Sequence, residues 1–207
     1  MALVVKNQFY RIIRYVKLKG YKMNSVEPIR DMVKIEEISN YLRSMDDGER
    51  NYILFKIGIN NARRISDLLK MRVSDVKNKT HFVYKEQKTG KMIRLFIHPK
   101  LKLEIEEYIK DMNETDYLFK SRQSHNLPIT RQRVWQILNE CKDAANLKNL
   151  KVGAHTMRKT FGYHFYQQSK DVVTLMRLFN HTNQQVTLRY IGIIQDDLDN
   201  ALKKFYL

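Results

Sequence analysis

Residues 155–190 read HTMRKTFGYHFYQQSKDVVTLMRLFNHTNQQVTLRY, and this stretch decides the fold of the C-terminal half of the chain. The helical spacing of its apolar residues predicts three successive helices, at about 155–168, 171–179 and 183–190. His155 and Arg158 are three residues apart, so both project from one face of the first helix. His181 falls at the junction before the third helix, and Tyr190 ends that helix. The stretch therefore predicts a group of basic side chains around one tyrosine.

In the rest of the chain the spacing of apolar residues is also mostly helical, and in one region it changes to a pattern typical of β-strands. Apolar spacing predicts further helices over 7–18, 35–45, 49–57, from Arg64 onward, 101–111, 130–143 and 195–206. Between them, 81–87 and 91–98 are rich in β-branched and aromatic residues, and Lys88-Thr89-Gly90 is typical of a hairpin turn. The sequence predicts a mostly α fold with a small antiparallel β-sheet, of the α+β class.

The composition favours a polyanionic partner. The 207 residues carry 38 Lys and Arg against 22 Asp and Glu, a net charge of +16. Such an excess attracts nucleic acid, although ribosomal and membrane-surface proteins are equally basic. Cys141 is the only cysteine, which fits a reducing cytoplasmic compartment. No apolar run approaches the roughly 18 residues that span a bilayer, and we expect no membrane association.

The polar residues before Tyr190 suit attack on a phosphodiester. An arginine stays charged and grips two phosphate oxygens at once. A free phenol has a pKa near ~10, so a base or nearby cations must help it to lose its proton. The segment NARRISDLL supplies Arg64, and the hairpin supplies Lys88. A zinc site is disfavoured because the histidines lack compact ligand spacing and the cysteine is remote.

From Asn24 to Gly192 this pattern resembles the catalytic domain of the tyrosine recombinases, the phage integrase family. The resemblance implies six catalytic residues: Arg64, Lys88, His155, Arg158, His181 and Tyr190. It implies that Tyr190 attacks DNA to form a 3′-phosphotyrosyl enzyme, that Lys88 protonates the leaving oxygen and that His155 assists the tyrosine proton. Arg158 and His181 would bind the phosphate. No metal or other cofactor is implied.

Two departures from the family pattern leave alternatives open. Asn61, Ala62 and Arg63 stand where the family has Gly-Leu before its first arginine, so Arg63 competes with Arg64. Asn180 replaces a glycine before His181, and asparagine also adopts a left-handed helix end. On the hairpin, Lys85 and Lys91 compete with Lys88 for the role of general acid.

Further DNA contacts are predicted on the hairpin and at one helix start. Lys91 lies on the hairpin, and Arg131 and Arg133 begin the helix predicted over 130–143. Basic residues there contact phosphates or base edges, or form a solvated face. The expected partner is double-stranded DNA. The resemblance further implies a homotetramer acting on paired DNA sites.

The expected domains are a partial helix and linker at 1–30, a catalytic domain at 31–192 and a C-terminal helix at 193–207. That helix packs on its own domain or is exchanged between protomers. Recombinases usually carry a DNA-clamping domain first, so the chain is either truncated or naturally short. The function that the resemblance implies is a site-specific recombinase or integrase. The alternatives are type IB topoisomerase-like DNA relaxation and a non-catalytic DNA-binding regulator of recombination.

Overall fold

A computed structural model describes residues 26–85, 90, 92–193, 200, 202, 203, 205 and 206. Its elements, in chain order, are α1 (Met32–Ser44), α2 (Gly48–Ile59), α3 (Ile65–Leu68), β1 (His81–Lys85), β2 (Met92–Phe96), α4 (Pro99–Ile109), α5 (Arg131–Ala144), α6 (Thr156–Ser169), α7 (Val172–Phe179) and α8 (Gln184–Ile191). The mostly α prediction with one small antiparallel sheet is confirmed. The helix predicted over 7–18 lies outside the described residues, as does most of that over 195–206.

Helix α2 runs through the centre of the larger apolar core. Its sequence GERNYILFKIGI is apolar on nearly every side, which is the pattern of a helix surrounded by others. Phe55 and Ile57 are fully buried, and the helix packs against α1, α4 and α6. Helix α6, which carries Arg158, therefore packs against the central helix of the domain.

A second apolar cluster lies where α6, α7 and α8 meet. Its buried members are Ala62, Leu175, Phe179, Ile191 and Ile193. Gly162 of α6 permits this close approach. A Cβ at that position would lie 2.6 Å from Cζ of Phe179 and 2.7 Å from Cγ2 of Ile191. The cluster holds α8, which carries Tyr190, against α6.

The two strands pair antiparallel, in register from His81 opposite Phe96 to Lys85 opposite Met92. Strand β2 ends at Phe96, whereas the sequence predicted a strand to His98. Ile97 turns into the core, and Nδ1 of His98 accepts a hydrogen bond from the backbone of Lys100 at 3.3 Å. His98 therefore caps α4, which starts at Pro99 instead of residue 101.

The connector before α1 is packed along α6. The backbone nitrogen of Ile29 donates to the Thr160 hydroxyl, and its carbonyl accepts from Nε2 of His164, both at 2.9 Å. Glu27 donates from its backbone to the carbonyl of Lys151 at 2.9 Å. Ile29 is buried in the larger core. Residues 27–30 are thus packed against the folded domain rather than extended away from it.

None of the helices in the described part of the chain is long and apolar enough to cross a membrane.

Candidate active site

Tyr190 lies in the last turn of α8 with its hydroxyl aimed at His155. The distance from its Oη to Nδ1 of His155 is 3.1 Å. Its ring meets the rings of Phe179 and His181 edge-on, with centroids 5.3 and 5.2 Å away. These contacts hold the phenol between one imidazole on its hydroxyl side and two rings at its edges.

Local caps explain why α8 presents Tyr190 in this way. Asn183 begins the helix, and its Oδ1 accepts a hydrogen bond from the backbone of Val186 at 2.8 Å. Gly192 ends it with a φ of 84°, a left-handed conformation that suits glycine. The helix is therefore short, and Tyr190 stays close to the junction that holds His181.

His155 precedes α6 by one residue, although the sequence predicted it inside the helix. Thr156 fixes the turn before it, because its hydroxyl accepts from the backbone of Gly153 at 3.0 Å. His155 is exposed at the edge of the site, yet partial burial of its ring, followed by the charges of Arg158, Lys159, Arg64 and Arg131, holds the pKa of His155 below its usual range. The imidazole is consequently neutral near pH 7, and the contact allows its Nδ1 to accept a hydrogen bond from the Tyr190 hydroxyl.

Arg158 lies under the tyrosine, with only 3% of its surface exposed. Its Nη2 donates to the backbone carbonyl of Phe179 at 3.0 Å, and its guanidinium carbon lies 4.7 Å from the centre of the Phe179 ring. A charge held this deeply is weakly screened by water. It therefore acts strongly on any anion that reaches Tyr190.

Arg64 and Arg63 face different partners. Arg64 precedes α3, and its charge acts on both Tyr190 and His155. Arg63 is buried, with its guanidinium carbon 3.4 Å from the centre of the Tyr84 ring, in a pocket beside β1. The charge of Arg64 therefore acts at Tyr190 and His155. Arg63 lies beside β1 instead, where burial lowers the pKa of Arg63 to about 10.

His181 completes the group on the far side of the phenol. Asn180 before it ends α7 in a left-handed conformation with a φ of 52°, as the sequence predicted for this asparagine. The Thr187 hydroxyl lies 3.0 Å from Nδ1 of His181, within hydrogen-bond distance, and 3.3 Å from the carbonyl of Asn183. This contact fixes the orientation of the imidazole ring.

The surroundings of Tyr190 act on its pKa in opposite directions. Burial raises the pKa of Tyr190 to about 12, while Arg158 and Arg64 act to lower it. The phenol is therefore protonated at neutral pH. A phenol in this state reacts as a nucleophile only with the help of a base and of cations, and His155, Arg158 and Arg64 are the groups in a position to act on it.

Lys159 belongs to the same group, although the sequence analysis gave it no role. Its Nζ lies 5.0 Å from the centre of the Tyr190 ring, and 9% of the residue is exposed. The sequence shows only that Lys159 follows Arg158. The one-residue offset gives the two side chains different aromatic partners, because Arg158 lies over the ring of Phe179 and Lys159 over the ring of Tyr190.

This leaves the predicted lysines of the hairpin and the two predicted arginines of α5. Lys88 and Lys91 lie outside the described residues, while Lys85 is exposed on β1 beside the pocket that holds Arg63. The charge of Arg131 acts on His155, whereas Arg133 is paired with Glu140 on its own helix, Nη1 to Oε1, at 3.3 Å. Among the described residues, no cluster of histidine, cysteine or carboxylate side chains is suited to hold a metal ion.

Comparisons with known proteins identify the family of the chain. The family model described as Phage integrase family matches residues 31–195. The probable integrase/recombinase YoeC of Bacillus subtilis is 47% identical over 183 residues, covering 88% of this chain and 98% of that protein. A tyrosine recombinase of Pseudothermotoga lettingae is 26% identical and covers 92% of this chain and 69% of that protein.

Solved structures share the fold at low sequence identity. The crystal structure of XerA recombinase is 15% identical, with a TM-score of 0.66, and covers 87% of this chain and 66% of that one. XerH recombinase bound to its difH substrate is 16% identical, with a TM-score of 0.69, over 89% of this chain and 55% of that one. The chain thus spans between about half and two thirds of these solved recombinases. From its sequence relatives and its family match, the chain belongs to the phage integrase family and is a DNA strand transferase of the tyrosine recombinase type.

Proposed function

We propose that this chain cuts and rejoins DNA through a covalent bond between Tyr190 and a 3′ phosphate. The observation that carries the proposal is the 3.1 Å contact between Oη of Tyr190 and Nδ1 of the neutral His155. A buried phenol with a base in contact and arginine charges close by is suited to attack an anionic phosphodiester. No feature of the site calls for a metal ion.

The proposed step begins with the loss of a proton from the phenol. Tyr190 gives its proton to Nδ1 of His155 while its Oη forms a bond to phosphorus. The bond from phosphorus to the 5′ oxygen breaks, and Lys88 protonates the leaving oxygen. Arg64 and Arg158 stabilise the non-bridging oxygens, and His181 hydrogen-bonds the phosphate. The phosphotyrosyl bond keeps the energy of the diester, so rejoining is the reverse step and needs no ATP.

DNA binding is proposed to use basic residues around this site. Arg131 opens α5, and its charge already acts on His155, which supports a phosphate contact next to the scissile position. Arg133 and Lys91 are the further proposed contacts. The lone cysteine fits a reducing compartment, so we place the reaction on cytoplasmic DNA.

We further propose that four copies assemble on two DNA sites. In this arrangement residues 31–192 form the catalytic domain, 1–30 hold a partial helix and linker, and the C-terminal segment 193–207, after the buried Ile193, passes between neighbouring copies. Sedimentation of DNA complexes tests this assembly. A variant that lacks Ile194–Leu207 should still bind one site but lose the larger complexes, and wild-type protein that never exceeds one copy per site would contradict the proposal.

Strand exchange distinguishes this function from its alternatives. A supercoiled plasmid carrying two copies of DNA from the flanks of the gene is incubated with wild-type protein or with Tyr190→Phe. We expect recombinant plasmids from the wild type alone. Relaxed plasmid without recombinants would favour a topoisomerase, which uses the same chemistry at a single site. Binding without any covalent complex would favour a regulator of recombination.

A further inference from the structure

Lys159 is a buried cation over the face of the nucleophile. Its Nζ lies 5.0 Å from the centre of the Tyr190 ring, within the roughly 6 Å over which an ammonium is attracted to an aromatic face. Lys159 follows Arg158 on α6, so both residues are fixed by the same helix. The proposed cleavage step assigns no role to Lys159.

We propose that Lys159 is a positioning residue for Tyr190: its ammonium holds the phenol ring beside His155 and stabilises the negative charge that spreads into the ring as the proton leaves. This inference rests on the proposed role of Tyr190 as nucleophile and adds a residue that acts on the nucleophile itself rather than on the phosphate.

The attraction grows during the reaction. A neutral phenol offers the ammonium only the quadrupole of its ring, whereas a phenolate shares its full charge between Oη and the ring. An interaction that strengthens toward the transition state raises the rate of attack, and one of equal strength before and during attack does not. Because Lys159 is buried and Tyr190 is partly buried, solvent screens this attraction less than it would at an open surface.

Several other charged or titratable groups face Tyr190 from the surrounding elements. They are His155 and Arg158 at the start of α6, Arg64 before α3, and His181 between α7 and α8. Arg158 and Arg64 already act to lower the pKa of Tyr190. Lys159 differs from them because it lies against the face of the ring. It therefore stays close to Tyr190 whether or not a phosphate occupies the arginines.

Glu27 helps to keep Lys159 charged. Burial lowers the pKa of Lys159, and the carboxylate of Glu27 raises it. Glu27 belongs to the connector that is packed along α6, and its backbone is tied to Lys151. The connector thus contributes to the charge of the residue that lies over the nucleophile.

Three variants separate this role from simple packing. Lys159→Met keeps the length of the side chain and removes the charge, and Lys159→Arg restores the charge. Lys170→Met is the matched control, because Lys170 lies 5.3 Å over the ring of Tyr166 at the exposed end of the same helix. If the methionine variant fails to fold, Lys159→Gln takes its place.

The first measurement needs no DNA. A fluorinated tyrosine, whose phenol is more acidic, is placed at position 190, and its titration is followed by fluorine NMR. We expect Lys159→Met to raise the pKa of this phenol, and Lys159→Arg and Lys170→Met to leave it close to that of the parent protein. A folded Lys159→Met or Lys159→Gln protein with an unchanged or lower pKa overturns the proposal.

The second measurement is the rate of adduct formation on nicked DNA at saturating protein. We expect Lys159→Met to be about tenfold slower, with DNA affinity unchanged, and Lys159→Arg to recover most of the rate. Weaker DNA binding with an unaltered phenol titration would make Lys159 a DNA contact and refute its action on Tyr190. If the wild type forms no adduct, the proposed function fails, while the titration still decides the role of Lys159.

Discussion

Arg64 is the arginine whose proposed role in phosphate binding is tested first. Its charge acts on both Tyr190 and His155, the two groups between which the proposed step moves a proton. We expect Arg64→Ala to slow adduct formation by roughly 100-fold or more, because transition-state charge on the phosphate loses a donor. Single-turnover cleavage of nicked DNA measures this rate.

Arg63→Ala is the matched control for Arg64→Ala. Arg63 is stacked on Tyr84 and buried, so its loss should cost about 1–3 kcal/mol of stability in urea unfolding. Cleavage per folded molecule should be much less affected. The opposite outcome, with cleavage lost in Arg63→Ala and kept in Arg64→Ala, would reverse the assignment of the two arginines.

His155 should titrate below its ordinary value of 6.5 in the free protein. Burial and four neighbouring cations disfavour its charged form, so folding holds the neutral ring. The unfolded chain therefore binds this proton more strongly, and stability is lost as pH falls from about 6.5 toward the lower folded pKa. NMR titration of the imidazole measures the pKa, and urea midpoints measure the stability.

A histidine variant isolates the contribution of His155. His155→Gln should lose less stability than wild type between pH 7 and pH 5.5. A His155 pKa at or above 6.5 in DNA-free protein would contradict the neutral acceptor that the proposed cleavage step requires.

The resemblance of the sequence to the tyrosine recombinases named Arg64, His155, Arg158, His181 and Tyr190 as candidates, but the sequence did not predict the orientations of their side chains. It could not decide between Arg63 and Arg64 from the residues alone, because two adjacent side chains diverge only once α3 is packed. Lys159 received no role for the same reason. Its contact with Tyr190 joins residues 31 positions apart, on helices whose relative placement no local pattern encodes.

At the scale of elements, the approach of α6 to α7 and α8 depends on Gly162. A Cβ there would meet the buried Phe179 and Ile191 at 2.6 and 2.7 Å. We expect Gly162→Ala to destabilise the protein by about 1–3 kcal/mol, because overpacking exceeds the gain of up to about 1 kcal/mol from helix propensity. Urea unfolding measures the change. Gln168→Ala, at an exposed position of α6, should stay within about 0.5 kcal/mol of wild type, and a stabilised Gly162→Ala would refute this packing.

Element types followed from the sequence, and most errors lie at helix starts. Thr130, Asp171 and Asn183 were counted inside helices, but their side chains cap the first turns from outside. Helix α1 begins three residues earlier than predicted, because Met32, Val33 and Lys34 lack the burial that reveals a helical period. Asp31 caps it, and that signal was present in the sequence.

At the scale of the whole molecule, the least predictable region is the segment between α4 and α5. Leu118 and Phe119 are fully buried there without belonging to a helix or a long strand. Single β-bridges hold the segment, from Arg72 to Tyr117 and from Lys120 to Pro128. The bridge between Arg72 and Tyr117 joins distant parts of the chain, so no local periodicity of the sequence predicts it.

The charge of the whole chain should dominate its binding to DNA. With a net charge of +16, phosphate contacts release counterions, so affinity should fall by more than roughly tenfold between 50 and 200 mM salt. Fluorescence anisotropy across this range measures the slope. Arg131→Ala should reduce the slope by about one, and Arg133→Ala by less, because Arg133 is already paired with Glu140. An affinity that does not change with salt would contradict this electrostatic account.

Tyr190 as nucleophile is the central claim, and one denaturing gel tests it most directly. Labelled nicked DNA that contains the recombination site is incubated with wild-type or Tyr190→Phe protein, with and without a chelator. The exchange removes one hydroxyl and keeps the ring against Phe179 and His181, so folding and DNA binding should be preserved. We predict a covalent adduct with the wild type, unaffected by the chelator, and none with Tyr190→Phe. An adduct that persists in Tyr190→Phe would remove this residue as the nucleophile.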